Sequence, residues 1–278
     1  MPLLTPSSSA VLAFPGSPEH DQAADPARCD AAIVRRFVTI VSEHATRACA
    51  GIEGYLQVSR VHPADDKFAV SGRFERSDIE HMLTTATADA GAGFNCYIEA
   101  RIVTGATAGK RGKASETAGV WALVIDSDAD TGKAATTTLP PTLKVQTSPP
   151  DNWQGWYFLR RAISAKEATE IGAAVRHHTG GDQDTGVPTQ PYRIAGTPNF
   201  PNRPKQARGR VTVPTRILEH TGKIYSAAEL CAAFPQPKKA ERKNDAEDNI
   251  EDQALAALVH YLGRDEAGNQ SQNDPSDD

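Results

Sequence analysis

The feature that most constrains this chain is Val120–Ile125, six consecutive apolar residues (Val-Trp-Ala-Leu-Val-Ile) that run straight into Asp126-Ser127-Asp128-Ala129-Asp130. So short an unbroken apolar run reads as a central strand covered on both faces, and here it delivers a carboxylate at its end. Around it, strand and helix signals alternate. Ile33, Phe37, Ile40 and Val41 recur at helical spacing within Asp30–Ala48. Ile52–Val58 and Phe68–Phe74 read as a hairpin across His62–Asp66, and Ser77–Ala90 as a helix with Ser77 as N-cap and Glu80 at the capping-box position. Phe94–Val103 alternates as one strand, Lys144–Thr147 and Gly155–Leu159 as two more, and Ser164–His178 as a capped helix ending at Gly180-Gly181. Gln190–Ala195 and Val211–Leu218 complete the strands, and Ser226–Phe234 is a short helix. This order predicts one α+β domain over about residues 28–235.

Residues 1–27 are rich in Ser, Pro, Ala and Asp without periodicity, which predicts a loosely ordered arm. Gln236–Asp278 holds 11 acidic and 5 basic side chains, so the tail carries −6 and the rest of the chain about +1. The overall charge of −5 is therefore no argument against a nucleic-acid partner. In the tail, only Ile250–Leu262 is periodic enough for a helix, and the remainder is expected to be disordered. With 39% hydrophobic residues the chain is neither fibrous nor wholly disordered. No apolar run approaches the roughly 20 residues that span a bilayer, and Met1–Gly16 lacks a basic n-region. Cys29, Cys49, Cys96 and Cys231 lie far apart with no Cys-x-x-Cys pair, and read as thiols in a reducing cytoplasm.

Asp126 and Asp128 sit two apart on a strand, which puts both side chains on one face at a Cα spacing of about 6.6 Å. Like charges so placed destabilise each other unless something positive lies between them. A divalent Mg²⁺ or Mn²⁺ ion would do so; turn-forming acids at a strand end are the plainer alternative. From Pro188 to Leu218 six basic residues (Arg193, Arg203, Lys205, Arg208, Arg210, Arg216) occur with no acid, a composition suited to phosphates or to a solvated loop. Together, acids and basic segment describe a metal-dependent phosphoryl or nucleotidyl transfer site.

Three features mislead. Gly105–Lys110 resembles a phosphate-binding Walker loop, but three residues separate its glycines and Arg111 replaces the Ser or Thr that would hold Mg²⁺. His177-His178 point about 100° apart on a helix and read as C-terminal residues favoured by the helix dipole, not as zinc ligands. Trp153, Trp156 and Tyr157 could stack on bases, but at least one of Trp156 and Tyr157 is expected in the core, the two pointing to opposite faces.

The order of motifs resembles the archaeo-eukaryotic primase superfamily, and within it the RepB-like primases of plasmids and phages. The residues that carry the resemblance are Ile125-Asp126-Ser127-Asp128, then Thr147–Tyr157, then Gly181-Asp182 followed by Arg193–Asn199, with Gly93–Ile98 upstream. It covers about residues 30–215 and implies an RRM-like mixed or antiparallel sheet with a preceding αβ unit, the primase-polymerase catalytic core. It further implies that Asp126, Asp128 and Asp182 are catalytic metal ligands, with Asp184 the rival for the third place. Ser148, Gln154, Arg193 and Asn199 would bind nucleotide, and Arg203, Lys205, Arg208 and Arg210 would contact nucleic acid. Gln154 stands where the superfamily often has a His, and can hydrogen-bond a phosphate but carries no charge. The activity implied is primer synthesis or extension on a single-stranded DNA template from nucleoside triphosphates, with Mg²⁺ or Mn²⁺, a separate helicase, and no membrane. A non-catalytic nucleic-acid-binding replication protein and a metal-dependent nuclease are the rivals.

Overall fold

The computed structural model describes residues 25, 27–65, 67–105 and 110–237. The expected arm apart from its last residues, the tail beyond Pro237 with its Ile250–Leu262 helix, and positions 106–109 of the Gly105–Lys110 loop lie outside them.

Helix α1 (Ala31–Ala48) starts where expected, because Asp30 Oδ1 accepts from the Ala32 and Ile33 amides at 3.0 Å. It buries Val34, Phe37, Val38, Val41 and Ala45. Strand β1 (Leu56–Val61) begins later than the pattern predicts: Gly54, at φ 131°, turns the chain where a Cβ would meet the Val103 carbonyl at 2.8 Å. It pairs antiparallel with β2 (Phe68–Phe74). Helix α2 (Ile79–Gly91) has Asp78, not Ser77, at its N-cap and makes no side-chain cap bond. Glu80 is drawn away from any capping role by Arg35 of α1, which holds it with both guanidinium nitrogens, one at 2.9 Å.

The expected single strand Phe94–Val103 is two strands, β3 (Asn95–Glu99) and β4 (Arg101–Val103), which enter different sheets. The hand-over is fixed by a buried ion pair, Arg101 Nε to Glu99 Oε2 at 2.6 Å, with neither side chain exposed. Gln57 adds a bond to Glu99 at 3.0 Å, and Arg101 Nη1 donates to Lys113 O and Thr117 Oγ1 at 2.9 and 2.7 Å. Every polar group of this buried cluster that would be costly alone thus finds a partner.

Strand β5 (Thr117–Ser127) follows, then β6 (Leu143–Ser148), β7 (Asn152–Ile163) and helix α3 (Ala165–Thr179). Ser164 caps α3 by accepting from the Glu167 amide at 3.1 Å, and Gly180 ends it at φ 70°. The chain returns as β8 (Pro191–Arg193), β9 (Pro198–Asn199), a helix the sequence did not signal, α4 (Arg203–Ala207), then β10 (Val213–Pro214), β11 (Arg216–His220) and α5 (Ala227–Ala233). One sheet has the order β2-β1-β3-β8 and a second β11-β6-β7-β5-β4; β9 pairs with β10, and all these pairings are antiparallel. The fold is α+β, and the first αβ unit is completed by a strand from far along the chain.

The second sheet is covered on both sides. Val124, Trp156, Phe158 and Leu143 join α1 and the first sheet in one core, whereas Leu123, Ile125, Tyr157 and Leu159 join α3 and α5 in another. Trp156 and Tyr157 point to opposite faces as adjacent strand residues must, and both are fully buried. Burial on both faces is why Val120–Ile125 has no polar alternation.

Candidate active site

Asp126 is the residue at which one face of β5 turns from apolar to polar. Two residues earlier on the same face, Val124 lies opposite Trp156 of β7; Asp126 lies opposite Gln154. Strand β4 pairs only with the first part of β5, so the backbone edge at its far end needs other partners. The turn after α3 supplies them. Gly186 N donates to Val124 O and Asp182 N to Asp126 O, both at 2.8 Å, while Thr185 Oγ1 accepts from Asp126 N at 3.0 Å. Helix α3 backs this turn through a glycine contact: a Cβ on Gly172 would lie 2.3 Å from Gly186 O.

The result is a polar cavity of about 190 Å³ whose walls include Asp126, Asp128, Asp184, Gln154, Ser148, Arg193 and Lys205. A larger cavity of about 630 Å³ lies elsewhere, lined by Arg28, Cys29, Asp30 and Arg216 among others. Its acids are already used, Asp30 on the α1 cap and Asp25 on the Ala27 amide at 3.0 Å, and burial pushes the Cys29 thiol up to about 11. The convergent chemistry is in the smaller one.

The third carboxylate in the cavity wall is Asp184; Asp182 is not among the lining residues, although its charge reaches Asp126 and Asp184. Gln190 Nε2 donates to Asp184 Oδ2 at 2.9 Å, and the buried Tyr192 hydroxyl donates to Asp184 O at 2.9 Å. Burial first, then the Asp184 charge, pushes the Asp126 carboxyl up to about 7, against a weak bond from Gln154 Nε2 at 3.4 Å. Asp128 and Asp184 are also raised, each chiefly by burial. Asp130 is held well below the usual carboxylate range, first by its contact with Asp128 and then by Arg210. Among the described residues no three His, Cys, Asp or Glu side chains already form a cluster that could hold a metal ion.

Gln154, buried, has both ends of its amide in use: Nε2 on Asp126, and Oε1 accepting from Arg193 N at 2.9 Å, so that it ties β7 to β8 and one sheet to the other. Arg193 lays its guanidinium 4.5 Å from the Tyr97 ring centre, and its buried Nη1 has no hydrogen-bond partner. Ser148 Oγ accepts from Arg210 Nη1 at 3.1 Å. Arg210, an expected nucleic-acid contact, is engaged with Asp130 at 2.5 Å. Lys205 reaches the cavity from α4, whereas Arg203 and Arg208 are exposed and line no part of it. Asn199 also stays outside, its Nδ2 donating to Thr147 O at 2.8 Å. Among the rejected features, His177 and His178 lie in the last turn of α3, and Trp153 carries the Lys144 ammonium 4.3 Å from its ring centre.

Two organising residues escaped the sequence reading. Asn152 Nδ2 donates to Asp128 Oδ1 at 2.9 Å and to Asp130 Oδ1 at 2.6 Å, and its Oδ1 accepts from Ala129 N at 2.8 Å. The period of two along β7, which puts Asn152 on the face of Gln154, was the available signal. Thr185, which grips the Asp126 amide, gave none.

No family model matches the chain, and no curated protein sequence does. Among solved structures, the chain is similar to the AEP domain of the cyanophage S-2L primase-polymerase (16% identity, TM-score 0.48, 72% of this chain and 98% of that one). It is also similar to the primase RepB′ (16% identity, TM-score 0.45, 83% and 69%) and to the catalytic domain of primase RepB′ in complex with initiator DNA (17% identity, TM-score 0.43, 75% and 100%).

Proposed function

We propose that this chain is a DNA primase or primase-polymerase, making or extending primers on a single-stranded template by metal-dependent nucleotidyl transfer. The observation that carries the reading is the convergence of three carboxylates, Asp126, Asp128 and Asp184, with two cations, Arg193 and Lys205, on one small polar cavity. These carboxylates, whose protonation is favoured first by burial and, for Asp126, next by the charge of Asp184, form an all-oxygen donor set suited in kind to Mg²⁺ or Mn²⁺. All three now accept from side-chain amides, Asp126 from Gln154, Asp128 from Asn152 and Asp184 from Gln190, and would have to share or release those bonds. Divalent ions bound there would activate the attacking 3′-hydroxyl and neutralise the leaving pyrophosphate.

The chain's own residues do the rest. Arg193, with an unpaired Nη1 and a backbone fixed through Gln154, is placed to take a phosphate oxygen of the incoming nucleotide. Lys205 adds a second positive charge, and the exposed Arg203 and Arg208 extend the positive surface towards template. Asn152 holds Asp128 and the following turn in register, which is positioning rather than chemistry. Unwinding is left to a separate helicase.

A second reading is favoured by Gln154, whose amide is spent on internal bonds: a non-catalytic nucleic-acid-binding protein with the same fold. Incubation with single-stranded template, Mn²⁺ and labelled nucleotides separates the two. Extension that disappears in Asp126→Ala and Asp184→Ala supports transfer; template binding without extension leaves the binding protein, and degradation a nuclease. Arg193→Ala should lower kcat/KM for nucleotide about a hundredfold. Arg208→Ala should only weaken template binding and reduce its salt slope by about 0.7.

A further inference from the structure

The acidic cavity opens beside an aromatic surface that the nucleotidyl-transfer reading does not use. Phe68, on the edge strand β2, is 42% exposed although it is a large apolar side chain, and it lines the cavity together with Tyr97 of β3. The two rings meet at 5.3 Å between centres, tilted by 58°. Each carries a guanidinium: Arg111 lies 4.8 Å from the Phe68 ring centre and Arg193 lies 4.5 Å from that of Tyr97. Arg111 is not a loose surface cation. Its Nε donates to the fully buried Glu99 at 3.0 Å and its Nη2 donates to Thr189 O, so Arg111 is tied to the Arg101–Glu99 pair that joins the two sheets.

Size gives the surface a purpose. A cavity of about 190 Å³ is smaller than the roughly 300–1,000 Å³ that encloses a whole drug-sized ligand, so it can take the phosphate end of a nucleotide but not its base. The base must then lie at the mouth, where planar groups already stand. We propose that Phe68 and Tyr97, bracketed by Arg111 and Arg193, form a nucleobase-stacking shelf at the mouth of the acidic cavity. The shelf rests on the reading of the cavity as a phosphate site. It recognises any base through its π-face, whether that base belongs to the incoming nucleotide or to the template strand.

The test measures equilibrium binding of the full chain with Ca²⁺ present, using probes with and without bases. These are a nucleoside triphosphate against inorganic triphosphate, and a thymidine oligomer against an abasic oligomer of equal length. Phe68→Ala, a change at an exposed position, should weaken a base-carrying probe roughly five- to a hundredfold, leave its base-free counterpart unchanged, and be rescued by Phe68→Trp. Loss confined to the triphosphate pair assigns the shelf to the incoming nucleotide, and loss confined to the oligomer pair assigns it to template. Equal affinity of wild type and Phe68→Ala for both base-carrying probes overturns the shelf, as does an equal loss for base-free probes. Wild-type protein that extends primers while Phe68→Ala binds normally sinks the shelf alone. Wild-type protein that binds none of the four probes sinks the proposed function with it.

Discussion

Replacing Asp126 with Asn should stabilise the metal-free protein, by an amount that grows as pH rises from about 4 and is complete above about 7. The Asp126 carboxyl is pushed from 3.8 to about 7, first by burial and then by the charges of Asp184, Asp128 and Asp182. Because the folded state binds the proton more tightly than the unfolded chain, no cost exists below pH 3.8. The cost grows as pH rises between 3.8 and about 7, and is complete above that. At 1.36 kcal/mol for each tenfold change in proton affinity, the difference between 3.8 and about 7 gives a ceiling of about 4 kcal/mol, which relaxation of neighbouring carboxylates lowers. Asn keeps the shape and can still accept from Gln154, so the substitution removes the charge and little else. Urea unfolding in chelator, for wild type and Asp126→Asn, should give equal stabilities near pH 4 and a gain of about 2–4 kcal/mol for the variant at pH 8, or roughly 4–16 °C in Tm. Mn²⁺ should raise the stability of wild type at pH 8 and not that of the variant, because a bound cation relieves the same repulsion. A variant no more stable than wild type at pH 8 would refute the charge-cluster argument.

Two further outcomes follow from packing. His44 is buried against Phe158 at 4.1 Å between ring centres, accepts from Arg47, and is pushed down to about 4 by burial, then Arg47 and His220. Its folded pKa lies below its unfolded one, so the stability it protects is complete above pH 6.5 and lost as pH falls through about 4; His44→Phe should abolish about 3 kcal/mol of acid sensitivity, read as the difference in urea midpoints between pH 7 and pH 4. An unchanged pH slope would exclude His44 as the source. Gly172→Ala should cost about 1–3 kcal/mol, because its Cβ would fall 2.3 Å from backbone on Gly186 and push α3 off the turn that carries Asp184. Gly91→Ala, where nothing lies within 4 Å, is the control and should be neutral or slightly stabilising in the same melts.

Local chemistry was legible along the chain. Asp30, Ser164 and Ser226 cap helices because each side chain satisfies amides within its own first turn, and Gly180 stops α3 because it alone tolerates the left-handed turn there. The apolar run before Asp126 announced a strand covered on both faces, and the period of two correctly split Trp156 from Tyr157. What the sequence could not reveal depends on partners distant in the chain. Nothing local marks Ala100 as the point where one expected strand leaves one sheet for another, since that break is held by the burial of Glu99 and Arg101 together. The resemblance favours Asp182 over Asp184 as the third carboxylate, and only the hydrogen bonds of their turn to Val124 and Asp126 put Asp184, and not Asp182, on the cavity wall. Arg203, Lys205, Arg208 and Arg210 are expected together as nucleic-acid contacts, apart from Arg193, yet the fold spends Arg210 on Asp130, turns Lys205 inward and leaves Arg203 and Arg208 in solvent. Caps, turns and strand faces follow from interactions a few residues long and are therefore written in the sequence, whereas which charges meet across the cavity is decided by long-range closure of the two sheets.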